Sequence, residues 1–239
     1  MTHIELIIIS LFCLFQSIFG VGLLLLGTPT FLLMGYNYFE VLNLLLPYSI
    51  VISLLQIINT NKKNFSFMKR FLEFSVPSLI ISFIFLKFFY KYINFSLIVS
   101  VILILFSILN LFISSKTIIK IKNLKLALVL LGIMHAFTNL GGSILSIIVS
   151  SITKDKNLIL YNIAFGYLIF AILQLLITNL FFIELNLEMI NYIWVPIITY
   201  FIARSIFLKI NEGIYYKLLN FFTLIYGFYI FAGTFIKVI

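Results

Sequence analysis

The chain holds one cysteine, one aspartate, one tryptophan and two histidines in 239 residues. A lone cysteine, Cys13, excludes an intramolecular disulfide, a Cys-x-x-Cys redox pair and a multi-cysteine zinc site. Charge is also scarce: 10% of residues are charged, against about a quarter in ordinary soluble domains. Negative charge avoids the interior of the apolar runs. Asp155 lies between two runs, and Glu5, Glu40, Glu73, Glu184, Glu188 and Glu212 fall near run ends. A cation carrier or a rotary proton path usually sets a carboxylate at mid-membrane, and an intramembrane protease needs paired buried aspartates or a His-Glu-x-x-His helix. Neither pattern is present, nor is a P-loop for ATP hydrolysis. These absences predict a protein that is not an enzyme and that uses no cofactor and no bound metal.

Apolar sequence fills the space left by charge. Hydrophobic residues make up 63% of the chain and aromatics 18%, most of them phenylalanine, and the mean hydropathy is +1.23. A soluble domain must cover itself with polar groups, so this composition predicts a bilayer as solvent. The net charge is +9. Its lysines and arginines sit in short loops between apolar runs, which fits the positive-inside rule better than nucleic-acid binding. Met1–Glu5 carries no Lys or Arg, so no cleaved signal peptide is predicted. Apolar runs fall at 4–35, 38–59, 71–90, 93–115, 126–152, 157–182, 189–209 and 213–237. The first is too long for one straight crossing and is broken by Gly20, Gly22, Gly27 and Pro29; the fifth is broken by Asn139, Gly141 and Gly142.

The chain repeats itself. A shift of 119 residues sets Gln16 on His135, Gly22 on Gly141, Asn43 on Asn162, Tyr48 on Tyr167, and Val76-Pro77 on Val195-Pro196. Gln56 and Gln174 match after a one-residue slip. Polar residues and prolines are rare here, so their coincidence carries the signal. The reading is an all-α polytopic membrane protein of two repeats, 1–115 and 126–239, joined by a basic cytoplasmic linker, 116–125.

Charge then sets the orientation. If all eight runs cross, the halves are parallel and 9 of 16 basic residues lie inside. If the two broken runs are re-entrant hairpins, each half crosses three times and the halves are inverted. With the 116–125 loop inside, only Lys87, Lys91 and Lys237 then remain outside, a split of 13 to 3. The inverted arrangement is therefore predicted.

Two paired breaks at membrane depth point to a site, because irregular backbone is tolerated there only inside protein or along a cavity. Around Gly20 and Gly22 a half-helix can start at depth and turn its free N–H groups and positive dipole end toward an anion. The second break, Thr138-Asn139-Leu140-Gly141-Gly142-Ser143, adds hydroxyl and amide donors. The plainer reading is that these glycines serve close helix packing. Gln16 and His135 stand just before the breaks. His135 either carries a coupling proton or is a neutral imidazole bonded to a neighbouring helix. Asn43 and Asn162 lie on the following segments as further candidate donors; Gln56 and Gln174 read as interhelical glue. Pro77 and Pro196 mark a kink or a helix start. Arg204 snorkels to the cytoplasmic surface or pairs with lipid phosphate, with attraction of substrate as the other reading.

Gly20-Val21-Gly22-Leu23-Leu24-Leu25-Leu26-Gly27-Thr28-Pro29, Leu140-Gly141-Gly142-Ser143, and Ala203-Arg204-Ser205 before a final apolar run resemble the TauE/SafE sulfite exporter family. The resemblance spans about 4–237. It implies a multi-pass permease of the bacterial inner membrane with duplicated four-segment halves, moving sulfite, a sulfonate or a related anion. The glycine run after the first helix is fuller in that family, and the second half here lacks the following proline. The partners expected are membrane lipids, a small anionic substrate and a proton as coupling ion, with no nucleic acid. A carrier of metal cations or amino acids, or an assembly factor that transports nothing, are the competing readings.

Overall fold

The computed structural model describes residues 2–60, 62–112, 123–153, 155–184 and 191–207, with 228, 231 and 232. Most of the basic linker and of the last apolar run lie outside the described residues. Helices account for the described chain: α1 (His3–Phe19), α2 (Leu23–Leu33), α3 (Tyr38–Ile58), α4 (Phe65–Phe89), α5 (Phe95–Phe112), α6 (Leu124–Thr138), α7 (Gly141–Ile152), α8 (Lys156–Phe181) and α9 (Trp194–Phe207). A 3-10 turn follows α4 at Tyr90–Tyr92, and the described residues contain no strand.

Local chemistry explains where the helices start. Thr2 with Glu5 and Asn37 with Glu40 form capping boxes that satisfy the first amides of α1 and α3. Asn64, Asn123 and Asp155 cap α4, α6 and α8. Pro196 sits in the first turn of α9, where its missing N–H costs nothing, whereas Pro77 lies inside α4.

Among the described residues three helices are long and apolar enough to cross a membrane: Tyr38–Ile58, Phe65–Tyr92 and Asn157–Phe181. At 1.5 Å per residue, about 20 residues match a hydrocarbon core of about 30 Å. Their surface is inverted relative to a soluble protein. Ile81, Ile84, Phe88, Leu176 and Leu180 are exposed, while Ser49, Ser53, Gln56, Ser75 and Gln174 are buried. This is a membrane protein, with α3 the most enclosed of these three helices.

The first broken run folds back on itself. Tyr36, just past α2, donates its hydroxyl to Glu5 at the start of α1, and this bond pushes the Tyr36 pKa up to about 12. Further along the pair, Gly27 faces Phe12, and Gly22 faces Phe15 and the Gln16 amide. So α1 and α2 form a helical hairpin with its entry and exit at one end.

The packing between residues 2–112 and 123–207 is reciprocal. Helix α4 packs along α6, and α9 packs along α1; α3 touches α9 as α4 touches α8. Helices α3 and α8 pack along each other and run antiparallel. Phe39 stacks on Phe182 with ring centroids 3.8 Å apart, and Asn179 donates to Asn43 at 3.4 Å; at the other end Lys62 pairs with Asp155. Between α4 and α6 the backbones nearly touch: Ser75 donates to the Leu128 carbonyl at 2.9 Å, and a side chain at Gly132 would collide with Ser78 and the Ser75 carbonyl.

Candidate functional site

The two breaks share one backbone construction. At the end of α1, the Gly20 amide donates to the Gln16 carbonyl at 2.7 Å; at the end of α6, the Asn139 amide donates to the His135 carbonyl at 2.8 Å. Both caps are left-handed, with φ of 73° at Gly20 and 60° at Asn139. Asparagine is among the few residues besides glycine that adopt this conformation readily. A glutamine from the following long helix braces each cap. Gln56 donates to the Gln16 carbonyl at 3.0 Å, and Gln174 to the His135 carbonyl at 3.3 Å. The interhelical role predicted for the glutamines is thus directed at the breaks themselves. The one-residue slip in the repeat was its sequence signal.

The surroundings of the two breaks differ. At the first, Gln16 donates to Ser49 Oγ at 3.0 Å, and Gly22 has φ 152°. Helix α2 begins there without a side-chain cap. Its first turn bonds only through the Leu26 amide to the Gly22 carbonyl, and the amides of Leu23, Leu24 and Leu25 meet no acceptor among the described residues. All three residues are buried. Orphan amides at a buried helix start form an anion-favouring end, with roughly half a positive charge from the aligned peptides.

The second break is closed by its own residues. The Gly141 amide donates to His135 Nδ1 at 3.0 Å, and the Leu140 amide to Thr138 Oγ1 at 3.2 Å. Ser143 turns its hydroxyl back to the Leu140 carbonyl at 2.9 Å, and the Tyr167 hydroxyl lies against the Gly142 backbone. Because Nδ1 accepts, the neutral imidazole carries its proton on Nε2. His135 is fully buried and stacked on Phe170, and among the described residues neither its Nε2 nor Gln174 Oε1 makes a hydrogen bond of good geometry.

The predicted residues therefore fall into three groups. Gln16, Gly20 and Gly22 come together at the first break, and His135, Thr138, Asn139, Gly141, Gly142 and Ser143 at the second. Asn43 and Asn162 join neither. Asn43 donates to the Glu184 carbonyl at 3.0 Å, near the start of α3, and Asn162 is buried with neither amide atom hydrogen-bonded among the described residues. The breaks also stand at different levels. The first meets α3 at Ser49 and Gln56, whereas the second meets the start of α3, where Tyr38 donates to the Ala136 carbonyl at 2.7 Å. Asn139 donates to Thr28 Oγ1, in mid-α2, at 3.0 Å. The two breaks thus contact different stretches of α3. Sequence reasoning missed Ser49 and Tyr38, which carried no signal. Thr28 stood in the candidate stretch between Gly27 and Pro29, without an assigned partner.

Compared with protein-family models, curated proteins and solved structures, the chain matches none. Among the described residues no three His, Cys, Asp or Glu side chains are grouped to hold a metal ion, and Cys13 is buried and free.

Proposed function

We propose that this chain is a secondary transporter for a small oxyanion, of the oxidised-sulfur class that includes sulfite and sulfonates, working by alternating access between two inverted repeats in a bacterial inner membrane. The observation that carries the reading is the start of α2: three buried amides without an acceptor among the described residues, at a helix end set inside a membrane protein. An anion leaving water needs donors to replace its hydration. Neutral amides supply them weakly enough for release on the other side. The antiparallel run of α3 and α8 supports the inversion, because the repeat equates these two helices. The folded-back α1–α2 pair supports a re-entrant first run. The TauE/SafE resemblance contributes the substrate class.

Uptake into proteoliposomes tests this. Purified protein should move at least one of sulfite, sulfate, thiosulfate, taurine and sulfoacetate faster than empty vesicles do. The self-closed packing of the second break favours one other reading, a membrane assembly factor that carries nothing. Failure to move any of the five anions would support that reading and sink transport of this class.

A further inference from the structure

A polar cleft opens beside the first break. Ser17, Asn59, Thr60, Asn157, Tyr200 and Arg204 line it, and Leu160 is its apolar wall. These residues come from α1, the end of α3, the start of α8, and α9, so both halves contribute. The cleft holds about 100 Å³, room for about three waters at 30 Å³ each. That suits a four- or five-atom oxyanion and falls well below the roughly 300–1,000 Å³ of a drug-sized site.

The charge in the cleft is unbalanced. Arg204 Nη1 donates to Asn59 Oδ1 at 2.7 Å, a neutral acceptor, and no carboxylate pairs with Arg204 among the described residues. The acid of the neighbouring loop, Asp155, is taken by Lys62. Ser17, Asn59 and Thr60 turn donor hydrogens to carbonyls of their own helices, those of Cys13, Leu55 and Gln56. The guanidinium, with four N–H donors unused among the described residues, the Asn157 side chain and the Tyr200 hydroxyl remain. A planar donor fork with an uncompensated charge matches the oxygens of a small oxyanion.

We propose that this cleft is a binding site for a small oxyanion, with Arg204 as its charged donor and Leu160 as the wall between the cleft and the first break. Leu160 Cδ1 comes within 2.9 Å of where a Cβ on Gly20 would stand, so a shift of one leucine joins cleft and break. As a binding site the cleft stands without transport; as the place where the anion waits on the side of the Lys62 loop, it rests on the transport reading.

The test is sulfite binding by calorimetry to the purified full chain. It is done in phospholipid-free detergent and again in nanodiscs of phosphatidylcholine and phosphatidylglycerol, beside the uptake assay. Arg204→Gln should weaken binding in detergent at least tenfold and Arg204→Lys less. Asn157→Leu, on a different helix, should weaken it several-fold, and Arg70→Gln, outside the cleft, should not. Size-exclusion profiles establish that each variant is folded. Binding in both environments identifies a free anion as the occupant; binding in detergent alone identifies a lipid phosphate, and both support the site. Arg204→Gln and Asn157→Leu binding sulfite as the wild type does would overturn it, as would a wild type that binds none. Arg204-dependent binding without uptake would keep the site and remove the transport reading.

Discussion

Gly20 and Asn139, 119 positions apart, close the same left-handed helix cap, each donating its amide to the carbonyl four residues back. One half meets the demand for positive φ with the residue that has no Cβ, the other with a side chain that tolerates it. The second solution gains a bond, since the Asn139 side chain also reaches Thr28 across the halves.

The glycines beyond the caps should be intolerant. A Cβ at Gly22 would stand 2.9 Å from Phe15 Cβ and 3.0 Å from the Gln16 amide, and one at Gly141 2.6 Å from His135 Nδ1. Gly22→Val and Gly141→Val should each abolish uptake and cost about 1–3 kcal/mol of stability through overpacking. Val21→Ala should keep uptake. Two glycine variants that melt later than or with the wild type and still transport would make the breaks mere packing devices.

His135 should leave the pH dependence of uptake unchanged. It is fully buried and its Nδ1 already accepts the Gly141 amide, so charging the ring would bury an unpaired cation and break that bond. Uptake in a folded His135→Gln protein should keep the wild-type pH profile. A profile flattened by the substitution would instead make His135 the carrier of a coupling proton.

Reporter fusions should place the 62–70 and 116–125 loops in the cytoplasm, and both termini and Glu184 on the far side, as the 13 to 3 basic split demands. A cytoplasmic Glu184 or C-terminus contradicts inversion.

The bond from Lys62 holds the Asp155 carboxyl below the usual carboxylate range, aided by the α8 amides it caps. A depressed carboxylate stabilises above its unfolded pKa of about 3.9, and that contribution is lost as pH falls through the lower folded value. The wild type and Asp155→Asn should therefore differ in melting temperature at pH 7 and low salt. They should converge toward pH 3 or in high salt, which screens so exposed a pair. A difference that persists at pH 3 would assign the effect to capping.

Much of the fold was legible because polar residues are rare in this chain. Where Gly22 and Asn43 recur as Gly141 and Asn162 at one offset among about 150 interchangeable apolar residues, coincidence is a strong signal, and helices begin at Gly22 and Gly141 after the breaks. Depth was not legible. Nothing in the spacing of Gly22 and Gly141 says which stretch of α3 each break meets, because that depends on side-chain contacts such as Gln16 with Ser49 and Tyr38 with Ala136. Nor did sequence reveal that His135 Nδ1 faces the Gly141 amide, since the turn between them sets that geometry. Arg204 was visible as a rare charge, but its cleft joins four helices distant in sequence.

The close approach of α4 to α6 at Gly132 also bears on how the protein is made. Helix α4 leaves the ribosome before the helix whose backbone it grips, so Ser75 and Ser78 enter the bilayer with their final neighbour not yet synthesised. The first half is in this sense unfinished until residue 132 has been inserted. A chain cut within the 116–125 linker yields two fragments that must find each other in the membrane, each lacking the surface that the other supplies.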